Sequence, residues 1–453
     1  MTTKWTKLLV TFSLIWLQPA FADKDNNGIL SLRDRAQVIN THLDDRLENL
    51  LPTLMRREGI DMWILISREY NEDPVLKTML PANWLSARRR TILVLFDPGK
   101  DEEGNFQAIE RLAVARYNVD TMFRKSWDKE QQPNQWDSLV ELIKQKNPQK
   151  IALNKSTAVA LADGLTATEY QEFKTALGAN LQSKIVSSEP LAIAWLETRS
   201  EQEMQVYPSS VKLSHKIVAE AFSNDVVKPG ITTTEDVVWW LREKVVELKL
   251  QTWFHPTVSI QRASEDKFDH IQAFSKRPEQ QTIMPGDLLH LDFGITYLRL
   301  NTDQQQHAYV LKKGEQDAPD YLKQALANGN KLQDIFIANF KLGRTGNEVL
   351  AMSRRQAIEQ GIKPSIYTHP IGFHGHAAGT TLGMWDSQGG VPGEGDYPLH
   401  ANTAYSIELN AATFIPQWKK EIRIMLEEEA YFDGQGVRYL DGRQTQFHLI
   451  KSE

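Results

Sequence analysis

Helical and strand-like patterns alternate along the first half of the chain from about Gln37. An amphipathic helical pattern runs through Leu47 and Met55, and short apolar runs at 62–67 and 91–96 predict strands. Further helical and strand-like segments follow up to about residue 190. The order predicts an α/β domain over residues 37–190. It contains neither a glycine-rich phosphate loop nor a compact cluster of histidine and acidic residues, so we expect a structural role for it.

The pattern changes in the second half, where helices come first and strands follow. A long helical stretch ends at Pro229-Gly230, and a second helix is predicted to begin at Thr232–Thr234, whose hydroxyls can cap it. The runs LLHLDFGITYL, AYSIELNAA and EIRIMLEEEAYF each predict one strand, and Thr302-Asp303 is expected to open the strand after the first of them. Helices followed by strands predict a second domain of the α+β type after the first.

The first 22 residues have the pattern of a cleaved secretory signal. Lys4 and Lys7 precede an apolar run at 8–17, and the segment ends with small residues at Ala20 and Ala22. We therefore expect an exported protein, periplasmic or secreted. Residues 23–36 are polar, and their acidic spacing fits either a linker or a calcium-binding loop. Charges interrupt every later apolar run, so no membrane span is expected in the mature chain.

Composition excludes several classes of function. The net charge of -6 is small for 453 residues and the charges are mixed, which argues against a nucleic-acid binder and favours a small-molecule or peptide substrate. The chain has no cysteine, which excludes thiol catalysis and thiolate zinc sites. Any metal must therefore be bound by carboxylates and imidazoles.

Two aspartates indicate such a metal site. Asp292 lies in an apolar strand-like run, and Asp303 follows eleven residues later. Carboxylates buried on adjacent strands need a cation between them, because burial without a partner costs several kcal/mol or forces protonation. Oxygen-rich sites with one imidazole suit manganese, cobalt or zinc. Further candidates downstream are His369, His374, His376, Glu408 and the triplet Glu427 to Glu429.

These residues resemble the pita-bread metallohydrolases, which include methionine aminopeptidase, aminopeptidase P, prolidase and creatinase. The shared features are the eleven-residue aspartate spacing, the His-x-x-Gly pattern at His369, a histidine seven residues later, and five ligands in order: Asp292, Asp303, His369, Glu408 and Glu427. The resemblance covers residues 195–453. The preceding domain is similar to the N-terminal domain of the creatinase, prolidase and aminopeptidase P branch, which favours cleavage of Xaa-Pro bonds.

The resemblance implies an α+β fold with a C-terminal pita-bread domain after a smaller α/β domain. It implies two divalent cations, manganese first with cobalt or zinc as alternatives, and hydrolysis of the N-terminal Xaa-Pro or similar bond of short peptides through a metal-bridging water. It also allows a homodimer. The implied roles are one metal on Asp292, the other on His369 and Glu408, bridging ligands Asp303 and Glu427, and catalytic histidines His376 and, less closely matched in position, His270.

Some positions depart from the usual family pattern. Glu428 is a rival to Glu427 for the last ligand, Ala377 replaces an acidic residue, and a glycine-rich insertion follows through Trp385. The polar run 304–307 stands where relatives commonly carry Thr and Arg. His290, two residues before Asp292, is expected on the same strand face and in support of the metal ligands. A creatinase-like hydrolase of a non-peptide C–N bond and an inactive binding protein are the alternative functions.

Overall fold

The computed structural model describes residues 28–263 and 280–452. The predicted signal sequence 1–22, residues 23–27 and His270 lie outside the described residues, so the predictions made for them stay predictions. Ser31 caps the first helix, since its side chain accepts a hydrogen bond from the Asp34 amide at 3.3 Å. Among the described residues, no helix has the length and apolar character that crossing a bilayer requires.

The first part of the chain builds a six-stranded mixed sheet with the order β4-β3-β2-β1-β5-β6. Its strands are β1 Met62–Arg68, β2 Arg90–Phe96, β3 Glu110–Ala113, β4 Arg124–Lys125, β5 Ile151–Leu153 and β6 Ile185–Ser187. Its helices are α1 Leu32–Asp45, α2 Leu51–Arg57, α3 Pro74–Thr78, α4 Gln135–Lys146, α5 Ala167–Leu177, α6 Ala179–Gln182 and α7 Glu189–Glu197. A π-helical turn at Arg46–Leu50 joins α1 to α2, and a 3₁₀ turn lies at Ala160–Ala162.

Both faces of this sheet are buried, which explains why β1 is a continuous apolar run. Trp63 and Leu65 point to one core, which contains α2 and α7. Ile64 and Ile66 point to the other core, which contains α4 and α5. Alternate residues of a strand face opposite sides, so a strand covered on both sides needs apolar residues at every position.

The rest of the described chain folds into two helix pairs and several small sheets. The helices are α8 Glu201–Ala221, α9 Thr234–Glu247, α10 Asp320–Ile337 and α11 Gly346–Glu359. The strands are β7 Thr257–Gln261, β8 Leu288–Phe293, β9 Thr296–Tyr297, β10 Leu300–Asn301, β11 Gln304–Val310, β12 Lys363–Ile366, β13 His369–Pro370, β14 Thr403–Ser406, β15 Leu409–Ile415, β16 Lys420–Leu426, β17 Glu429–Phe432, β18 Val437–Tyr439 and β19 His448–Ile450; a 3₁₀ turn lies at Glu394–Asp396. The predicted start of α9 is confirmed, because Thr233 caps it in a reciprocal capping box with Asp236.

The larger sheets have the orders β19-β11-β8-β7, β12-β15-β16 and β13-β14-β17-β18. Helices α8 and α9 share one core with β7, β8 and β11, whereas α10 and α11 share another with β14 to β17. This is an α+β arrangement in which helices cover sheets. The domain limits 37–190 and 195–453 stay predictions.

The expectation of three continuous strands is wrong, because each of the three runs is interrupted. The first run ends β8 at Phe293, and the chain turns back at Leu298 and Arg299, which both have positive φ. An added Cβ at Gly294 would lie 2.1 Å from the Thr302 carbonyl oxygen, so this close approach of two backbones requires glycine. The strand expected at Thr302-Asp303 begins at Gln304 instead.

The other two runs are interrupted because their strands pass from one sheet to another. The chain leaves β14 in the four-stranded sheet, crosses at 407–408, and enters β15 in the three-stranded sheet. It returns from β16 to β17 across 427–428. The short step from β12 to β13 makes a third crossing between the same two sheets. Pairing is lost at each crossing, and the apolar pattern on either side does not reveal it.

Candidate metal centre

Five predicted ligands converge at these ends and crossings of strands. Asp292 is the penultimate residue of β8, and Asp303 directly precedes its antiparallel neighbour β11. His369 opens β13, while Glu408 and Glu427 lie in the crossings from β14 to β15 and from β16 to β17. Sites where strands stop pairing free the backbone to aim side chains at a common point.

The ligand atoms lie within a few ångströms of one another. Nε2 of His369 is 3.5 Å from Oε1 of Glu427 and 3.9 Å from carboxylate oxygens of Asp303 and Glu408. Two sets of three share Glu427, one with Asp292 and Asp303 and the other with His369 and Glu408, and within each set the atoms lie within 4.8 Å. The separations suit cations between the groups, since they exceed hydrogen-bond lengths.

Charge repulsion and burial make this cluster unfavourable without cations. Burial raises the pKa of Asp292 and Asp303 well above the usual aspartate range, and the neighbouring Glu427 raises both further. Burial and Glu427 likewise raise the pKa of Glu408. Carboxylates packed so closely cannot all ionise unless positive charge enters the site.

Several buried atoms of the cluster have no hydrogen-bond partner. These are Oδ1 of Asp292, Oδ1 of Asp303 and Nε2 of His369. Nδ1 of His369 lies 2.9 Å from the Pro370 carbonyl oxygen and donates to it, which leaves the lone pair of Nε2 directed at the carboxylates. Unpartnered buried acceptors around one point fit divalent cations, and the four carboxylates with one imidazole fit manganese, cobalt or zinc.

The three side chains of the acidic triplet Glu427 to Glu429 are all buried, but only that of Glu427 faces the other predicted ligands. Glu427 faces the ligands, and Oγ of Ser406 donates to its Oε1 at 2.7 Å. Glu428 points away and forms an ion pair with His215 at 2.6 Å. Glu429 accepts a hydrogen bond from the Asp303 amide. The geometry thus favours Glu427 over Glu428 as the ligand.

His376 lies on the cavity side of the cluster. Its ring centroid is 4.7 Å from that of His369 and 5.2 Å from that of Trp253. Although His376 is exposed to the cavity, partial desolvation of its ring and the neighbouring His369 lower its pKa to about 4, so its imidazole is neutral near pH 7. Gly375 lets the indole of Trp253 approach, because an added Cβ would lie 2.3 Å from that ring. His376 also shares a possible metal-binding group with Asp303 and His369.

A cavity of about 590 Å³ opens beside the cluster. Aromatic and apolar side chains form much of its wall: Trp253, Phe254, Tyr367, Met384 and Trp385. The 3₁₀ turn that follows β5 and the residue before it contribute Val159, Ala160 and Leu161. Glu394, from the glycine-rich insertion, adds a carboxylate to the lining.

Sequence reasoning missed several of these contributors. The sequence analysis singles out neither Trp253 nor the turn at 159–161, which lies far from the ligands along the chain. His290 was expected to support the site, and its Nε2 lies 2.9 Å from the side-chain oxygen of Gln305. No pattern in the sequence indicates the positions of Trp253 and of the turn at 159–161, because these arise from the packing of distant segments.

Comparisons with known proteins agree with this geometry. The family model of metallopeptidase family M24 matches residues 209–441. A comparison with curated protein sequences gave no significant match.

Solved structures resemble the whole described architecture. They include an X-Pro aminopeptidase from Thermotoga maritima, with 16% identity, coverage of 88% of this chain and 99% of that chain, and a TM-score of 0.60. An Xaa-Pro dipeptidase from Bacillus anthracis has 16% identity, coverage of 93% and 100%, and a TM-score of 0.54. A prolidase from Pyrococcus horikoshii has 13% identity, coverage of 91% and 99%, and a TM-score of 0.54. At these identities the likeness concerns the fold, a pita-bread domain preceded by an α/β domain.

Proposed function

Because the chain belongs to metallopeptidase family M24, we propose that it is a dinuclear-metal peptidase that hydrolyses the N-terminal Xaa-Pro or similar bond of short peptides. The observation that carries the proposal is the convergence of five side chains, widely spaced along the chain, on the wall of one cavity. Buried atoms of three of them, Asp292, Asp303 and His369, lack hydrogen-bond partners. Family membership gives hydrolysis, and the cavity beside the ligands supports a small peptide as substrate.

We assign the ligands in two sets. Asp292 would bind one cation, His369 and Glu408 the other, and Asp303 and Glu427 would bridge them. When bound, two divalent cations, manganese first with cobalt or zinc as alternatives, supply Lewis acidity that lowers the pKa of a water and polarises the scissile carbonyl. The Pro370 carbonyl keeps His369 in the tautomer that presents a lone pair, so the chain prepares this ligand in advance.

His376 is the residue we assign to proton transfer. Its neutral imidazole carries one N–H donor and one acceptor, so it can take a proton and return it to the leaving nitrogen. The indole of Trp253 packs against its ring and restricts its orientation. Prolyl nitrogen is a poor leaving group until it is protonated, which is the step that such a histidine serves.

The cavity supports a short peptide with a free amino terminus. Its volume of about 590 Å³ lies in the range that holds a ligand of a few residues. Glu394 accepts one long hydrogen bond from Thr381, at 3.4 Å, and so keeps acceptor capacity for an ammonium group. We assign Glu394 to pairing with the substrate's α-ammonium, within walls that favour an apolar side chain.

We also propose export, which rests on the pattern of residues 1–22 alone. Mass spectrometry of the protein from a cell envelope or medium fraction would give its first residue. A mature chain beginning at Asp23 supports the proposal, whereas an intact Met1 in the cytosol contradicts it.

One experiment tests the enzyme assignment. The purified mature chain is analysed for bound metal, stripped with a chelator, reloaded with Mn²⁺ or Co²⁺, and assayed on Xaa-Pro dipeptides, longer Xaa-Pro peptides and creatine. Release of the N-terminal residue that is lost on stripping and regained on reloading supports the proposal. Metal-independent hydrolysis of creatine supports a creatinase-like enzyme, and full metal loading without turnover of any substrate supports a binding protein.

A further inference from the structure

Three consecutive glutamines face the three consecutive glutamates behind the site. Each side-chain amide nitrogen donates to a different carboxylate: Gln304 to Glu429 at 2.5 Å, Gln305 to Glu427 at 2.7 Å and Gln306 to Glu428 at 2.8 Å. All six side chains are buried. Glutamine is seldom buried, and a run of three such residues needs a purpose that packing alone does not supply.

Gln305 differs from its two neighbours because it contacts predicted ligands. Its amide nitrogen donates to Oε1 of Glu408 as well as to Oε2 of Glu427. An amide nitrogen carries two hydrogens, so these two carboxylates use its full donor capacity. One side chain thereby joins Glu408 of one ligand set to Glu427, which both sets share.

In each of the two carboxylates, Gln305 contacts one oxygen and the other oxygen is the one nearer to His369. Gln305 holds Oε1 of Glu408, whose other oxygen lies 3.9 Å from Nε2 of His369. It holds Oε2 of Glu427, whose other oxygen lies 3.5 Å from the same nitrogen. In each case the oxygen bound to Gln305 faces away from His369 and the second oxygen faces it.

His290 fixes the orientation of the Gln305 amide. Its Nε2 lies 2.9 Å from the amide oxygen of Gln305 and donates to it. Ionised carboxylates only accept hydrogen bonds, so the amide nitrogen must point towards them and the oxygen towards His290. Rotation of the amide by 180° would place acceptor against acceptor at the carboxylates and donor against donor at His290, and it is therefore disfavoured.

We propose that Gln305 is a positioning residue that orients Glu408 and Glu427 for metal binding, with His290 as its anchor. The inference rests on the proposed dinuclear function. A neutral donor suits the task, because it relieves repulsion between the carboxylates without adding a positive charge that would compete with the cations. Groups that hydrogen-bond to metal ligands commonly affect metal affinity in this way.

The test compares Gln305→Met with Gln306→Met in the full chain. Methionine matches glutamine in length and cannot donate, and Gln306 is a matched control because it donates to a carboxylate outside the ligand set. Mn²⁺ affinity and stoichiometry are measured by calorimetry with chelator competition, and folding by circular dichroism. We expect Gln305→Met to weaken Mn²⁺ binding by about 10- to 100-fold and Gln306→Met by less than about threefold.

Gln305→Asn gives a second variant if the methionine variant does not fold, because it keeps an amide that is one methylene too short to hold both carboxylates. It should also weaken Mn²⁺ binding by about tenfold or more. Equal Mn²⁺ affinity in wild type and in the folded Gln305 variant would overturn the positioning role and leave the enzyme assignment intact. Equal losses in the Gln305 and Gln306 variants would also overturn it. A wild-type chain that binds none of Mn²⁺, Co²⁺ and Zn²⁺ would refute both proposals together.

Discussion

The ion pair of His215 predicts how the stability of the protein depends on pH. Nε2 of His215 lies 2.6 Å from Glu428 and Nδ1 lies 2.9 Å from Asp441, with 16% of the side chain exposed. Burial opposes the charge, but the hydrogen bonds and charge of Glu428, together with Asp441, outweigh it and raise the pKa of His215 to about 9. The ordinary value is 6.5.

The sign and size of the effect follow from linkage. Because the folded state holds this proton more tightly than the unfolded chain, the stabilisation is complete below pH 6.5 and is lost as the pH rises through 9. At 1.36 kcal/mol per pKa unit, the rise corresponds to about 3 kcal/mol. His215→Gln, which cannot carry the charge, should therefore be less stable than wild type by about 3 kcal/mol at pH 6 and nearly equal to it at pH 10.

Urea unfolding from pH 6 to pH 10 with chelator present measures this difference without a contribution from metal. The comparison of variants cancels the titrations of groups that do not interact with His215. Glu429 is not among these groups, because burial raises its pKa to about 8 and the nearby His215 opposes that rise. His448→Gln is the matched control, because burial lowers the pKa of His448 to about 4 and keeps it neutral over the whole range. A difference between wild type and His215→Gln that stays constant with pH would refute the reasoning.

Three further predictions concern the reaction and are read by metal analysis and steady-state kinetics. Asp303→Ala should abolish both metal binding and turnover, and a fully active variant would contradict the assignment of Asp303 as a bridging ligand. His376→Ala should lower kcat by about 10²- to 10⁴-fold with metal content unchanged; loss of metal in this variant would instead make His376 a ligand. Glu394→Gln should raise KM for peptides with a free amino terminus about tenfold and leave kcat within about twofold, since the ammonium pair is kept in the transition state. An unchanged KM would exclude Glu394 from substrate binding.

Much of this architecture could be predicted from the sequence, because it depends on the pattern of apolar and acidic residues within short segments. Strands β1 and β2 are largely continuous apolar runs, and Asp292 is conspicuous as an acidic residue in the mostly apolar strand β8. The interruptions at Glu408 and Glu427 could not be seen, because apolar residues continue on both sides and the break arises from a change of sheet. Alternation along one chain carries no information about which sheet a strand joins next.

Burial of polar residues was the second thing the sequence could not reveal. Glu428 and Glu429 belong to a charge run that is normally solvated, yet both are fully buried. Their partners, among them Gln304 and Gln306, come from a strand more than 120 residues away along the chain. A buried carboxylate is predictable only once its donor is known, and here packing of distant segments provides that donor.

Through the turn at 159–161, the first half of the chain helps to line the cavity although it supplies none of the candidate metal ligands. The three residues of this turn form part of the cavity wall although none of them belongs to the candidate metal centre. Under the proposed function, substitutions in this turn can therefore change which peptides bind in the cavity while the metal ligands stay the same. Differences in substrate preference among proteins of this architecture therefore need not arise from the residues that carry out the chemistry.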